Sequence, residues 1–180
     1  MRVAVDAVPA SPDATADLKA HLRLDGDGED AVIGRLISTA IVACEAFTGA
    51  QLLIRAARQQ IAGDGTWQRL GLGPVQAITG IVDVGLDGSS DALPADAYTG
   101  RIDADGEGWV CVTQAGAPAR LLVQFKVGQV ATWNELPEPL RQGIIRLAAH
   151  LYAHRDAADD GGPPAAVTAL WRPWRRMRLR

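Results

Sequence analysis

Ala31-Val32-Ile33-Gly34-Arg35-Leu36-Ile37-Ser38-Thr39-Ala40-Ile41-Val42-Ala43-Cys44-Glu45-Ala46-Phe47-Thr48-Gly49 is the stretch on which the fold turns. Ile33, Ile37, Ala40, Ile41, Cys44 and Phe47 recur every three or four residues, the spacing that lines up one face of an α-helix. Arg35, Ser38, Thr39 and Glu45 fall mostly off that stripe, and Gly49 stands where a helix over about 29–48 would end. A face that wide must pack on other elements, so helical partners are expected on either side of it in the chain.

Upstream, Ser11-Pro12-Asp13 supplies an N-cap and a proline at the first helical position, which predicts a helix over about 13–23 with Leu18 and Leu22 on its apolar side. Asp25-Gly26-Asp27-Gly28-Glu29-Asp30 then breaks that helix and brings acids to the first turn of the next. Downstream, from about 52 to 130, short β-favouring runs alternate with Gly, Pro and Asp. Ile78-Thr79-Gly80-Ile81-Val82-Asp83-Val84 and Leu121-Leu122-Val123-Gln124-Phe125 are the clearest, with further strands expected at Tyr98 to Ile102 and Trp109 to Thr113. Leu86-Asp87-Gly88-Ser89 and Asp105-Gly106-Glu107-Gly108 read as turns of an antiparallel unit. The segment 51–68 is rich in Ala, Arg and Gln and marks no strand clearly. Helix returns after Leu136-Pro137-Glu138-Pro139, where Leu140, Ile144, Leu147, Ala148, Leu151 and Tyr152 predict a helix over about 138–155. Leu36, Ile37, Ile41, Cys44, Ile144, Leu147 and Leu151 are expected in a core or a subunit interface.

Asp159-Asp160-Gly161-Gly162-Pro163-Pro164 reads as a hinge, and beyond it lies Trp171-Arg172-Pro173-Trp174-Arg175-Arg176-Met177-Arg178-Leu179-Arg180. This final stretch has five arginines, two tryptophans and no acid; the rest of the chain has 13 Lys+Arg against 21 Asp+Glu. An acidic body with a basic appendage implies partners. Tryptophan and arginine are the types most enriched at protein-interface hot spots, where one side chain can contribute about 2 kcal/mol or more. They could equally stack on bases and neutralise phosphates, so a nucleic-acid-binding protein is the alternative from another class. The acidic body opposes DNA within a Debye length of about 8 Å, which favours protein docking.

At 180 residues the chain can bury a core without staples, and no run approaches the roughly 18 apolar residues of a membrane span, so no membrane is expected as a partner. The opening ten residues hold Arg2 and Asp6 within a short apolar run, poor material for a signal peptide, which predicts a cytoplasmic product. Cys44 and Cys111 are the only cysteines, without metal or redox spacing. The acid-rich loops 25–30 and 103–108 misplace the glycine and glutamate of a calcium loop. His150 and His154 have a helical i, i+4 spacing but no nearby third ligand. No Gly-x-Ser-x-Gly elbow or phosphate-cradling loop occurs. No catalytic residue, cofactor or metal is therefore assigned, and no enzyme is expected.

In order and spacing the chain resembles the head-tail connector, or head-completion adaptor, family of long-tailed bacteriophages, prophages and gene transfer agents. The likeness is carried by Leu18-Lys19-Ala20-His21-Leu22-Arg23-Leu24-Asp25 with the following acids, by Glu45-Ala46-Phe47-Thr48-Gly49, and by Pro74-Val75-Gln76-Ala77-Ile78. The Ala97-Tyr98 strand entry and Leu136-Pro137-Glu138-Pro139-Leu140-Arg141-Gln142-Gly143-Ile144 continue it. The resemblance implies a structural virion subunit, made in the bacterial cytoplasm and placed in the particle neck. There it forms a ring, commonly of twelve copies, beneath the portal and joins the DNA-filled head to the tail. Its partners are then the portal protein, a downstream neck or tail protein and further copies of itself, and DNA passes without specific binding. A neck stopper or tail-terminator ring is the runner-up within the class. Carried over to this sequence, Trp171, Arg172, Trp174, Arg175 and Arg176 are the expected portal-docking residues. The expected architecture is α+β: a small helical bundle with an inserted antiparallel β unit and an extended C-terminal arm. Residues 1–12 form a flexible N-terminus, 13–160 the connector domain and 161–180 the hinge and docking arm.

Overall fold

The computed structural model describes residues 2–85, 89–113, 120–154 and 162–176. The chain is α+β and divides into two compact units, Val8–Leu53 with Val130–Arg180 and Met1–Ala7 with Ile54–Gln129.

The first unit is helical. Helix α1 (Pro12–Leu22) is capped by Ser11, whose hydroxyl accepts from the Ala14 amide at 3.2 Å, and it stops at Arg23 in the left-handed region. Helix α2 (Asp30–Thr48) follows, ended by Gly49 at φ 72°, where the left-handed turn suits a residue without Cβ. Helix α3 (Glu138–Ala153) begins after Pro137, and a short helix α4 (Ala165–Trp171) runs on into a 3-10 turn at Arg172–Trp174. Ile33, Ile37, Ile41 and Cys44 of α2 meet Leu140, Ile144 and Ala148 of α3 in one core. Leu36 and Leu151 lie partly buried at its margin. By length and composition α2 could cross a membrane, but in this fold its apolar stripe is buried in the bundle, as a core helix requires.

The second unit is antiparallel β. Strands β1 (Val3–Val5), β2 (Arg55–Ile61), β4 (Val75–Val84), β5 (Ser90–Ala92) and β8 (Leu121–Val127) form a sheet in the order β1-β2-β8-β4-β5. Strands β3 (Gln68–Arg69), β6 (Tyr98–Ile102) and β7 (Gly108–Val112) form a second sheet in the order β3-β7-β6. Ile81, Val110, Val123 and Phe125 anchor its core. The expected turn at Leu86-Asp87-Gly88 lies outside the described residues.

Two expectations are corrected. The N-terminus is not free along its length, because Val3, Ala4 and Val5 pair with Gln59, Arg58 and Ala57 of β2, which would otherwise be a bare edge. Nor is the C-terminal segment an extended arm through Arg176: its tryptophan is apolar enough to be drawn into the helical core, and Trp171 is fully buried there.

Candidate functional site: the C-terminal segment and its seat

The basic segment is placed by packing that begins at Gly162, which has φ 70° and precedes Pro163 and Pro164. These two prolines cannot continue a helix from α3 but can open a new one, and α4 starts directly after them. Its last residue, Trp171, lies against Gly143 in the middle of α3 and at 5.9 Å from the Phe47 ring, tilted 53°. Arg175 then stands over the Phe47 ring at 5.8 Å, and the Arg176 amide donates to the Thr48 carbonyl at 2.8 Å. The seat is the end of α2 together with the Gly143 gap.

Glu45-Ala46-Phe47-Thr48-Gly49 builds that seat. The buried Glu45 carboxylate accepts from the Leu52 amide at 2.9 Å and so holds the turn leaving α2. The Thr48 hydroxyl donates back to the Cys44 carbonyl at 2.8 Å, and the Thr48 carbonyl, near the helix end and outside its ladder, receives Arg176. Burial, with the neighbouring Glu45 charge, pushes the Cys44 thiol far above its ordinary range, so it is a packing group rather than a nucleophile.

Of the five residues expected to dock, the structure separates one from the rest. Trp171 is core, Trp174 is half-buried against the bundle, and Arg172, Arg175 and Arg176 are exposed. The three arginines are thus exposed on a segment that the tryptophans hold to the bundle. Sequence reasoning missed Gly143, Phe47 and Thr48 as the seat. A glycine interrupting the apolar stripe of α3 was the available signal, since a helix interior accepts glycine only at a cost of about 1 kcal/mol unless something close needs the space.

The other candidates are spoken for. Lys19 bridges Asp27 at 2.9 Å and Asp30 at 2.8 Å, so a side-chain cation already serves the first acidic loop, and those bonds, Asp30 first, raise its pKa. Asp103 accepts from the Glu107 and Asp105 amides at 2.8 and 3.0 Å, which closes the second loop and holds its carboxyl below the usual range. His150 and His154 stack at 4.3 Å beside a cavity lined by Thr39, Ala43, Leu147 and Leu151, and among the described residues no group of three metal-binding side chains forms. Cys111 donates to the Gly65 carbonyl at 3.2 Å inside the β unit.

The distinctive surface among the described residues is a basic, tryptophan-anchored C-terminal segment. No protein-family model and no curated protein matches the chain. Among solved structures it is similar to a chain from the neck of an empty gene transfer agent (GTA) particle computed with C6 symmetry, with TM-score 0.75 and 27% identity over 100% of this chain and 98% of that one. A chain from the virion of a native GTA particle gives TM-score 0.71 and 28% identity over 100% and 98%, and one from the neck of a native GTA particle computed with C12 symmetry gives 0.69 and 27% over 98% and 97%. The likeness runs the whole length of both chains, so the class is that of a phage or gene transfer agent neck protein, a structural particle component.

Proposed function

We propose that this chain is the head-tail connector of its particle: an adaptor subunit that assembles in the bacterial cytoplasm, docks on the portal through its C-terminal segment and joins the filled head to the tail. The observation that carries the reading is the end-to-end likeness to GTA neck chains, combined with the three exposed arginines on the segment that Trp171 anchors. One of those necks was computed with C12 symmetry and another with C6, which supports a closed ring and, with the family resemblance, twelve copies. A ring also multiplies modest contacts, because once one segment is seated each further one binds at high effective concentration. The acidic body suits a channel wall that passes DNA without gripping it.

Trp171 and Trp174 act in this reading as anchors, and Arg172, Arg175 and Arg176 as the contact face. Replacing all three arginines by glutamate is expected to give DNA-filled heads without tails, while the purified protein stays folded with only a small loss from the Arg175–Phe47 contact. Normal tail attachment by that variant would overturn portal docking.

A further inference from the structure

The β unit carries a second surface of tryptophan and arginine, unrelated to the C-terminal segment. Strand register sets Arg69 opposite Trp109 and Trp109 opposite Arg101, so three neighbouring strands place these side chains in one row on one face of the β3-β7-β6 sheet. Trp67, on the loop entering β3, joins the row: the Arg101 guanidinium stands 4.9 Å from its ring centre and 5.5 Å from that of Trp109. Trp67 is nonetheless 45% exposed. With the half-buried Trp109 beside it, Trp67 makes a contiguous aromatic surface, the kind that marks an interaction site.

The charge around the row says what kind of partner fits. Arg69 is paired with Glu107, and Arg101 is held between the two indoles. Trp109 is bonded to Asp103. Asp64, three residues before Trp67, has its carboxyl lowered by bonds from the Thr66 hydroxyl and amide. With Asp105 in the same turn as Asp103 and Glu107, the segments that carry the row, 64–69 and 101–109, hold four carboxylates against two arginines and are acidic on balance. An acidic rim repels phosphate, whereas an incoming arginine or lysine finds carboxylates and the part of Trp67 that Arg101 leaves exposed, the arrangement that favours a cation over an aromatic ring.

We propose that the Trp67–Arg101–Trp109 face is a docking surface for an arginine- or lysine-bearing segment of another protein, the next component of the same particle. The proposal deepens the neck reading and rests on it for the source of that partner, but its chemistry is tested on the isolated chain. Full-length protein labelled with 15N is titrated with a hexa-arginine peptide, and the tryptophan indole signals are followed at low and high salt. The Trp67 and Trp109 signals are expected to shift saturably, with binding weakened by salt. Trp67→Ala is expected to weaken binding about three- to fivefold, Trp67→Phe to restore part of it, and neither to move the unfolding midpoint. Indole signals that stay still, equal affinity in Trp67→Ala, or tighter binding of an oligothymidylate than of the peptide would each overturn the proposal. None of these results bears on tail attachment, so failure here is distinct from failure of the neck reading.

Discussion

Gly143 and Trp171 are fitted to each other: a Cβ built on Gly143 would lie 2.1 Å from the Trp171 indole nitrogen. No side chain can occupy both places. Trp171 is fully buried and its N–H finds no acceptor among the described residues, so packing against Gly143 and Phe47 is what holds the indole. Gly143→Ala would ordinarily favour a helix, yet here it is expected to destabilise the protein by about 1–3 kcal/mol, the range for an overpacked core. Urea unfolding of the two proteins side by side checks this; a more stable Gly143→Ala would show that α4 leaves its seat freely.

Glu45 offers a test of the seat from its other side. The residue is 4% exposed, and its carboxylate accepts from the Leu52 amide. Glu45→Ala strands that buried amide and is expected to cost about 1–3 kcal/mol, while Glu45→Gln keeps a carbonyl acceptor and should cost less. Equal losses in chemical denaturation would show that charge, not the hydrogen bond, is what matters.

Cys44 links stability to pH. Its folded pKa is raised, so the folded state keeps the thiol proton where the unfolded chain releases it. Stability from this group is unaffected below the ordinary thiol pKa of about 8.5 and should fall above it, by about 1.4 kcal/mol per pH unit at the steepest. Unfolding free energies from pH 8 to 10 are expected to decline, and Cys44→Ala to flatten that decline after its lower starting stability is subtracted. In native protein the thiol should resist alkylation at neutral pH and react once unfolded.

Much of this architecture was legible because the relevant residues obey one period. The stripe from Ile33 to Phe47 marks α2, Ser11-Pro12 marks the start of α1, and alternating runs mark β6, β7 and β8. Strand β2 hid because its inward positions are Arg55, Ala57, Gln59 and Ile61 rather than β-branched residues. Gln59 can be fully buried there because its amide donates to the Arg69 carbonyl at 3.0 Å and accepts from the Gly71 amide at 2.6 Å, long-range partners that no local pattern announces. The candidate site was half legible for a similar reason. Composition marks the segment as basic and aromatic, but only the gap at Gly143, 28 positions away in the chain, decides that Trp171 points inward.

That division separates anchoring from contact. Ending the chain after Leu170 removes the arginines together with the buried Trp171 and the Arg176–Thr48 bond, so it is expected to cost about 3–5 kcal/mol of stability as well as portal docking. Trp171→Ala should lose comparable stability while keeping every arginine. The glutamate variant of Arg172, Arg175 and Arg176 should lose only about 1 kcal/mol, the scale of the exposed Arg175–Phe47 contact it removes, and still fail to attach tails. Thermal unfolding measured beside tail attachment distinguishes the three: if truncation left stability untouched, Trp171 would not be the anchor, and the docking face would have to include the indole itself.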